Sequence, residues 1–279
     1  MNRAETESLP EDPLRGGDRP SRLLGLHHGP AEVARLARQI YDTVLERSET
    51  IRAGNFTVIA TKDLQLLFEL ADASFFGGLL GAMIREDRAK LAFRLSSRMT
   101  RVGGTTTMLR ERGQKAGGTG GWARARYEIA VSTVLLFSTF RHVDRPVTVG
   151  GLVCRDRLEA LQRIFEHELL HLAEFLAWGR SSCSEENFHR LSQRIFGHAG
   201  VRHDLVSPRE LAATTYDVRP GDLVSFEHEG VRRVGRINRI TRRATVLVED
   251  PGGEPFSDGK RYTTFYVPLG KLRKEGRPG

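Results

Sequence analysis

Two histidines four residues apart, with a glutamate beside the first, constrain this chain more than any other feature: His167-Glu168-Leu169-Leu170-His171. Four residues is about one turn of α-helix, so both imidazoles leave the same face only if the segment is helical. The flanks agree with a helix. From Asp156 to Gly179, Leu158, Leu161, Ile164, Phe165, Leu169 and Leu172 form one apolar stripe, with Asp156 placed to cap its start and Gly179 to stop its end. Neutral imidazole nitrogens are good zinc ligands, and a catalytic zinc needs three protein ligands plus an open position where its water becomes acidic. Glu168 is then the base that takes the proton from that water. A His pair on an amphipathic helix also occurs as plain surface or core residues; agreement of motif and helical context favours the metal reading.

The chain has 279 residues, room for one large domain or two small ones, with 39% hydrophobic and 28% charged residues. No apolar run reaches bilayer length, and the polar start Met1-Asn2-Arg3-Ala4-Glu5-Thr6-Glu7 has no apolar signal core, so a cytoplasmic protein is expected. The two cysteines, Cys154 and Cys183, cannot build a disulfide framework and suit a reducing compartment. A net charge of +8 makes a polyanion the expected class of large partner, the plainer reading being a basic surface with no specific ligand.

Residues 1–28 are rich in Pro, Gly and charge and are expected to form a disordered arm. A helix is expected from Ala31 to Ile51, a short strand at Val58-Ile59-Ala60, and a helix from Asp63 to Ile84 broken near Gly77-Gly78. Lys90–Leu95 and Tyr127–Ser132 alternate as strands and flank a Gly- and Arg-rich stretch, Arg101 to Arg126, which suggests an antiparallel pair beside the zinc helix. Ser184 is placed to cap a further helix running to Phe196. Beyond residue 206 come short β-type runs, Leu223–Phe226, Arg233–Ile240, Ala244–Val248 and Thr263–Val267, separated by Gly, Asp and Pro turns; they read as a small SH3-like barrel. The expected organisation is therefore an arm over 1–28, a core over 29–205 and a barrel over 206–279.

The order of elements resembles the SprT-like metalloprotease family: a helix with Asp72-x-x-Phe75-Phe76-x-Gly78-x-Leu80, a strand with Ser96-x-Arg98-Met99-Thr100, a strand ending Glu128-Ile129-x-x-Ser132, then the His-Glu-x-x-His helix. The likeness extends from about Leu64 to His198. It implies an α+β zincin-like core, a small antiparallel sheet packed on helices, that cleaves peptide in a groove along the sheet edge. It also implies a third zinc ligand from a His-Gly-x-x-Phe segment opening the second helix, and here the chain departs. Aligned on Phe188, that position holds Ser184 and Glu185. Cys183, one residue earlier, can still face the first helix, and a thiolate is a strong zinc ligand. Glu185 and His189 are the rivals, and a small buried apolar role is the alternative for Cys183. Cys183 is favoured on ligand chemistry. A thiolate lowers the Lewis acidity of zinc, so slow or tightly regulated proteolysis is expected. Glu174, three residues after His171, sits where it could support a ligand, although an exposed helix face is the simpler reading.

Two basic runs bear on partners. Six of the twelve residues from Arg232 to Arg243 are arginine (Arg232, Arg233, Arg236, Arg239, Arg242, Arg243), and Arg94 to Arg126 holds eight basic residues against one acidic, Glu111. Some SprT-like proteins digest proteins bound to DNA, and such runs suit phosphate contacts, while a solvated face is the simplest account of each. The expected function is a zinc-dependent metalloprotease acting on protein substrates, with DNA as a candidate partner. The alternative is a non-catalytic nucleic-acid-binding protein whose zinc is structural, closed by His167, His171, Cys183 and a fourth side chain such as Glu185.

Overall fold

In the computed structural model, which describes residues 18–110, 125–140 and 145–276, the helix carrying the histidine pair organises what surrounds it. Its N-terminal neighbours are α1 (Arg19–Gly25), α2 (Pro30–Arg47), α3 (Thr61–Phe75) and α4 (Leu79–Glu86). After them come β1 (Lys90–Ser96), β2 (Gly104–Arg110), β3 (Ala125–Ser132), the short helix α5 (Thr133–Ser138) and a hairpin of β4 (Val147–Val149) and β5 (Leu152–Cys154). The central helix, α6, spans Arg157–Trp178. Asp156 accepts a hydrogen bond from the Glu159 N–H at 2.9 Å, closing its first turn, and Gly179 ends it at φ 68°, a left-handed conformation that costs glycine little. Leu158, Leu161, Leu169, Leu170 and Leu172 are fully buried, each contributing about 1.5–3 kcal/mol by its removal from water.

The expected break at Gly77-Gly78 is present. Both glycines have positive φ, α3 and α4 meet at 110°, and Asp72 accepts from the Leu80 and Gly81 N–H groups, each at 2.9 Å, tying the two helices together. Phe75 and Phe76 pack against Phe196 of α7 (Glu186–Phe196), so the aromatic pair of the family-like motif works as core. Among the described residues no single helix is long and apolar enough to cross a membrane; α3 and α4 would reach that hydropathy only together, and Leu64, Leu67, Leu80 and Met83 turn their apolar surface into the core.

Several expectations need correction. The arm expected over residues 1–28 has structure in its described part: α1 buries Leu23 against α6, and Arg19 reaches Glu86 and Asp87 at 2.7 and 2.8 Å. Residues 1–17 lie outside the described residues. Val58-Ile59-Ala60 is not a strand; it has no strand to pair with, and Ala60 instead opens α3, its N–H donating to Asp63 Oδ2. The strands at Lys90–Ser96 and Ala125–Ser132 are parallel rather than antiparallel. The sheet order is β1-β3-β2, with β2, unforeseen within the Gly- and Arg-rich stretch, antiparallel to β3. The chain runs up β1 and down β2, then back up between them, and two reversals leave the first and last strands parallel. Residues 111–124 of that stretch lie outside the described residues.

The C-terminal region opens with α8 (Pro208–Thr215), then β6 (Leu223–His228), β7 (Val231–Ile240), β8 (Ala244–Pro255), β9 (Arg261–Val267) and β10 (Arg273–Lys274). They form one antiparallel sheet in the order β10-β6-β7-β8-β9. The expected closed barrel is not formed, because β9 and β10 stand at opposite edges without pairing. The sheet has its own hydrophobic cluster, including Val224, Ile237, Ala244 and Val246, distinct from the cluster around α6.

Candidate metal centre

One turn of α6 apart, His167 and His171 bring their Nε2 atoms to 3.1 Å. The Cys183 thiol completes the group: one ligand atom from each residue lies within 4.8 Å of the other two, the spacing that ligands at 2.0–2.3 Å from a shared ion require, after small adjustment. Both rings rest on Phe188, which is buried at the start of α7. Burial lowers the pKa of His167 to about 3 and of His171 to about 4, the former also through its histidine neighbours, so both are neutral with lone pairs available.

The orientation of His171 is set by a one-way chain of hydrogen bonds. Its Nδ1 lies 2.7 Å from Ser181 Oγ, and Ser181 donates to Glu174 Oε2 at 2.6 Å. The Ser181 proton is committed to the carboxylate, so the imidazole carries its proton on Nδ1 and leaves Nε2 free to ligate. Glu174 is buried, which overturns its reading as an exposed helix face, and Asn187 reaches its other oxygen at 3.4 Å.

The third-ligand candidates are separated by one turn of chain. Residues 181–185 fold back with the Glu185 N–H donating to Ser182 O at 3.1 Å. Helix α7 therefore starts at Glu186, and Ser184, expected as its cap, pairs with the Ser182 hydroxyl instead. This turn directs Cys183 toward α6, while Glu185 lies outside facing Arg180 at 3.3 Å and His189 is exposed farther along α7. Cys183→Ser should weaken zinc binding far more than Glu185→Gln, because a neutral hydroxyl replaces a thiolate in the first case and a surface ion pair is lost in the second. Competition with a chromophoric chelator measures both; a stronger loss in Glu185→Gln would reverse the assignment.

Glu168 leaves α6 on the buried side shared with Leu161, Ile164, Phe165 and Leu172, and meets β2. Burial pushes its carboxyl up to about 8. Thr106 Oγ1 lies 2.8 Å from Glu168 Oε2 and 2.9 Å from the Glu168 carbonyl oxygen. The Thr106 hydroxyl is the donor in both contacts, and its hydrogen bond to the carboxylate partly offsets the upward push of burial. A Cβ at Gly104 would stand 2.6 Å from Glu168 Oε1, so β2 approaches this closely because that position is glycine. His203 closes the far side, its Nε2 accepting from the Gly103 N–H at 2.9 Å. Thr106, Gly104, Ser181 and His203 carry no motif in the sequence and become visible only through these contacts. The cleft they line, with the histidine pair and Cys183, encloses about 490 Å³.

The six arginines do not form one patch. Arg232 pairs with Glu275 at 2.7 Å and Arg236 donates to the Gly221 carbonyl, whereas Arg239 and Arg242 line two different clefts beside α8. No protein-family model, curated protein or solved structure matches the chain.

Proposed function

We propose that the protein is a zinc-dependent metalloprotease with a zincin-like core, hydrolysing peptide bonds in protein substrates. The observation that carries this reading is the pairing of a three-residue ligand group with a separate buried carboxyl, Glu168, on the same helical turn. The donor set suits zinc: two neutral imidazoles, one of fixed tautomer, and a thiol. Zinc held by His167, His171 and Cys183 supplies Lewis acidity for a carbonyl and a water, and its charge favours the ionised form of Glu168. Glu168 then accepts a proton and passes it to the leaving amine, with Thr106 fixing the carboxyl's orientation. β2 supplies the surface for substrate. It is the edge of its sheet, and its outward backbone groups are available to an extended peptide. Cleavage of an unstructured protein by the purified chain, abolished by chelation and restored by zinc, tests the reading; activity indifferent to chelator would end it.

The alternative of a closed structural zinc fits less well. It needs a fourth protein ligand, and among the described residues the group contains three, with Glu185 turned away.

A DNA partner for the C-terminal sheet, read as an SH3-like module, is the second part of the proposal. It rests on Arg233, Arg239, Arg242 and Arg243, which are exposed and without an ion pair among the described residues. Neutralising all six arginines should weaken DNA binding, and if these four each meet a phosphate the slope of log K against log salt should flatten by about 3–4. Zinc content should be unchanged. Fluorescence anisotropy on a labelled duplex at two salt concentrations reads this directly, and equal binding by parent and variant would remove DNA from the account.

A further inference from the structure

Beyond His203, which closes the far side of the cleft at Glu168, lies a further hollow. A second cavity of about 280 Å³ lies between the core and the C-terminal sheet, and Arg101 and His203 line both, so the two adjoin across these side chains and together extend as a groove from the histidine pair to Arg209 and Arg239. Its charge is one-sided. Arg101, Arg202, Arg209 and Arg239 lie along it, all exposed and none in an ion pair among the described residues. Among the described residues, no carboxylate lines either cavity except Glu168. Asp204 and Glu210, which follow the lining residues His203 and Arg209 in the chain, are both taken by Arg145, at 3.5 and 2.8 Å, and Asp204 also accepts from the Thr148 N–H. Negative charge has thus been withdrawn from the walls while four guanidinium groups stay unpaired, an arrangement that concentrates anionic ligands in a cleft.

The form of the groove selects among anions. Its wall along β2 presents edge backbone together with Thr105 and Thr106, partners for an extended polypeptide. Single-stranded nucleic acid binds such grooves by stacking bases on aromatic rings, and among the described Phe, Tyr and Trp residues only Phe175 lines these two cavities. We propose that this groove selects acidic polypeptide segments, so that the protein acts on protein regions rich in Asp and Glu near the bond to be cut. The proposal rests on the protease reading for the cutting, and on the groove alone for the selection.

The test is binding to the full-length Glu168→Gln chain, in which a peptide stays intact. A short fluorescein-labelled peptide rich in glutamate should bind about tenfold tighter than its glutamine counterpart at low salt, as two or three exposed charge pairs provide. The preference should vanish near 1 M salt, where screening reaches about 3 Å. Arg101→Gln with Arg209→Gln should abolish the preference, and Arg233→Gln with Arg243→Gln, outside the groove, should preserve it. Equal affinity for the two peptides overturns the proposal. So does a single-stranded oligonucleotide that binds more tightly than the acidic peptide and depends on Arg101 and Arg209. Cleavage by the parent chain without any charge preference in binding would leave the protease standing and this inference refuted; charge preference without cleavage would do the reverse.

Discussion

Glu168→Gln should keep about one zinc per chain and lose peptide hydrolysis by about 10²- to 10⁴-fold, the usual contribution of a general base. The substitution preserves shape and leaves His167, His171 and Cys183 untouched, so metal and activity should separate. A structural zinc site makes no such use of Glu168. The same variant has a second signature in the metal-free protein. Burial holds the Glu168 carboxyl near 8 against 4.5 when unfolded, so the folded state binds the proton more tightly. That contribution is fully present below about pH 4.5 and is lost as pH rises through about 8. Glutamine does not titrate, so the variant should gain on the parent across this window, by up to about 5 kcal/mol. Urea midpoints of both apo proteins at pH 5 and pH 9 measure it. Parallel pH dependence would show that Glu168 is not held as a buried acid, and undiminished hydrolysis would remove it from the chemistry.

His167→Ala and His171→Ala should each reduce bound zinc from about one per chain to a small fraction, because two remaining ligands cannot hold the ion against a mild chelator. Both rings lie on Phe188, so circular dichroism should accompany the metal analysis to show that the helices persist. Ser181→Ala is the graded comparison. It breaks the link from His171 to Glu174 without removing a ligand, and should cost about 10- to 100-fold in affinity. Full zinc occupancy in the double histidine variant would rule out this site.

What was legible in the sequence was local. The bounds of α6 follow from Asp156 and Gly179, whose capping depends on a few neighbouring residues. The bend between α3 and α4 follows from two adjacent glycines at positive φ. The alternation of the C-terminal strands was equally readable, since strand periodicity is a property of each segment. Closure into a barrel was not, because it depends on which edges meet.

The site divides along the same line. That His167 and His171 share a face, with Glu168 beside them, is determined by the geometry of one helical turn and was decided by the sequence alone. That Cys183 rather than Glu185 faces them depends on a turn whose direction is set by packing on α6 and by the Glu185–Ser182 hydrogen bond. Only the tertiary structure buried Glu174 behind Ser181, slid β2 past Gly104 to hold Glu168, and laid β3 between β1 and β2. Those contacts join residues seven to several tens of positions apart and on different elements, where helical and strand periodicity carry no information, and the burial they create is what makes two histidines neutral and one glutamate a weak enough acid to hold its proton.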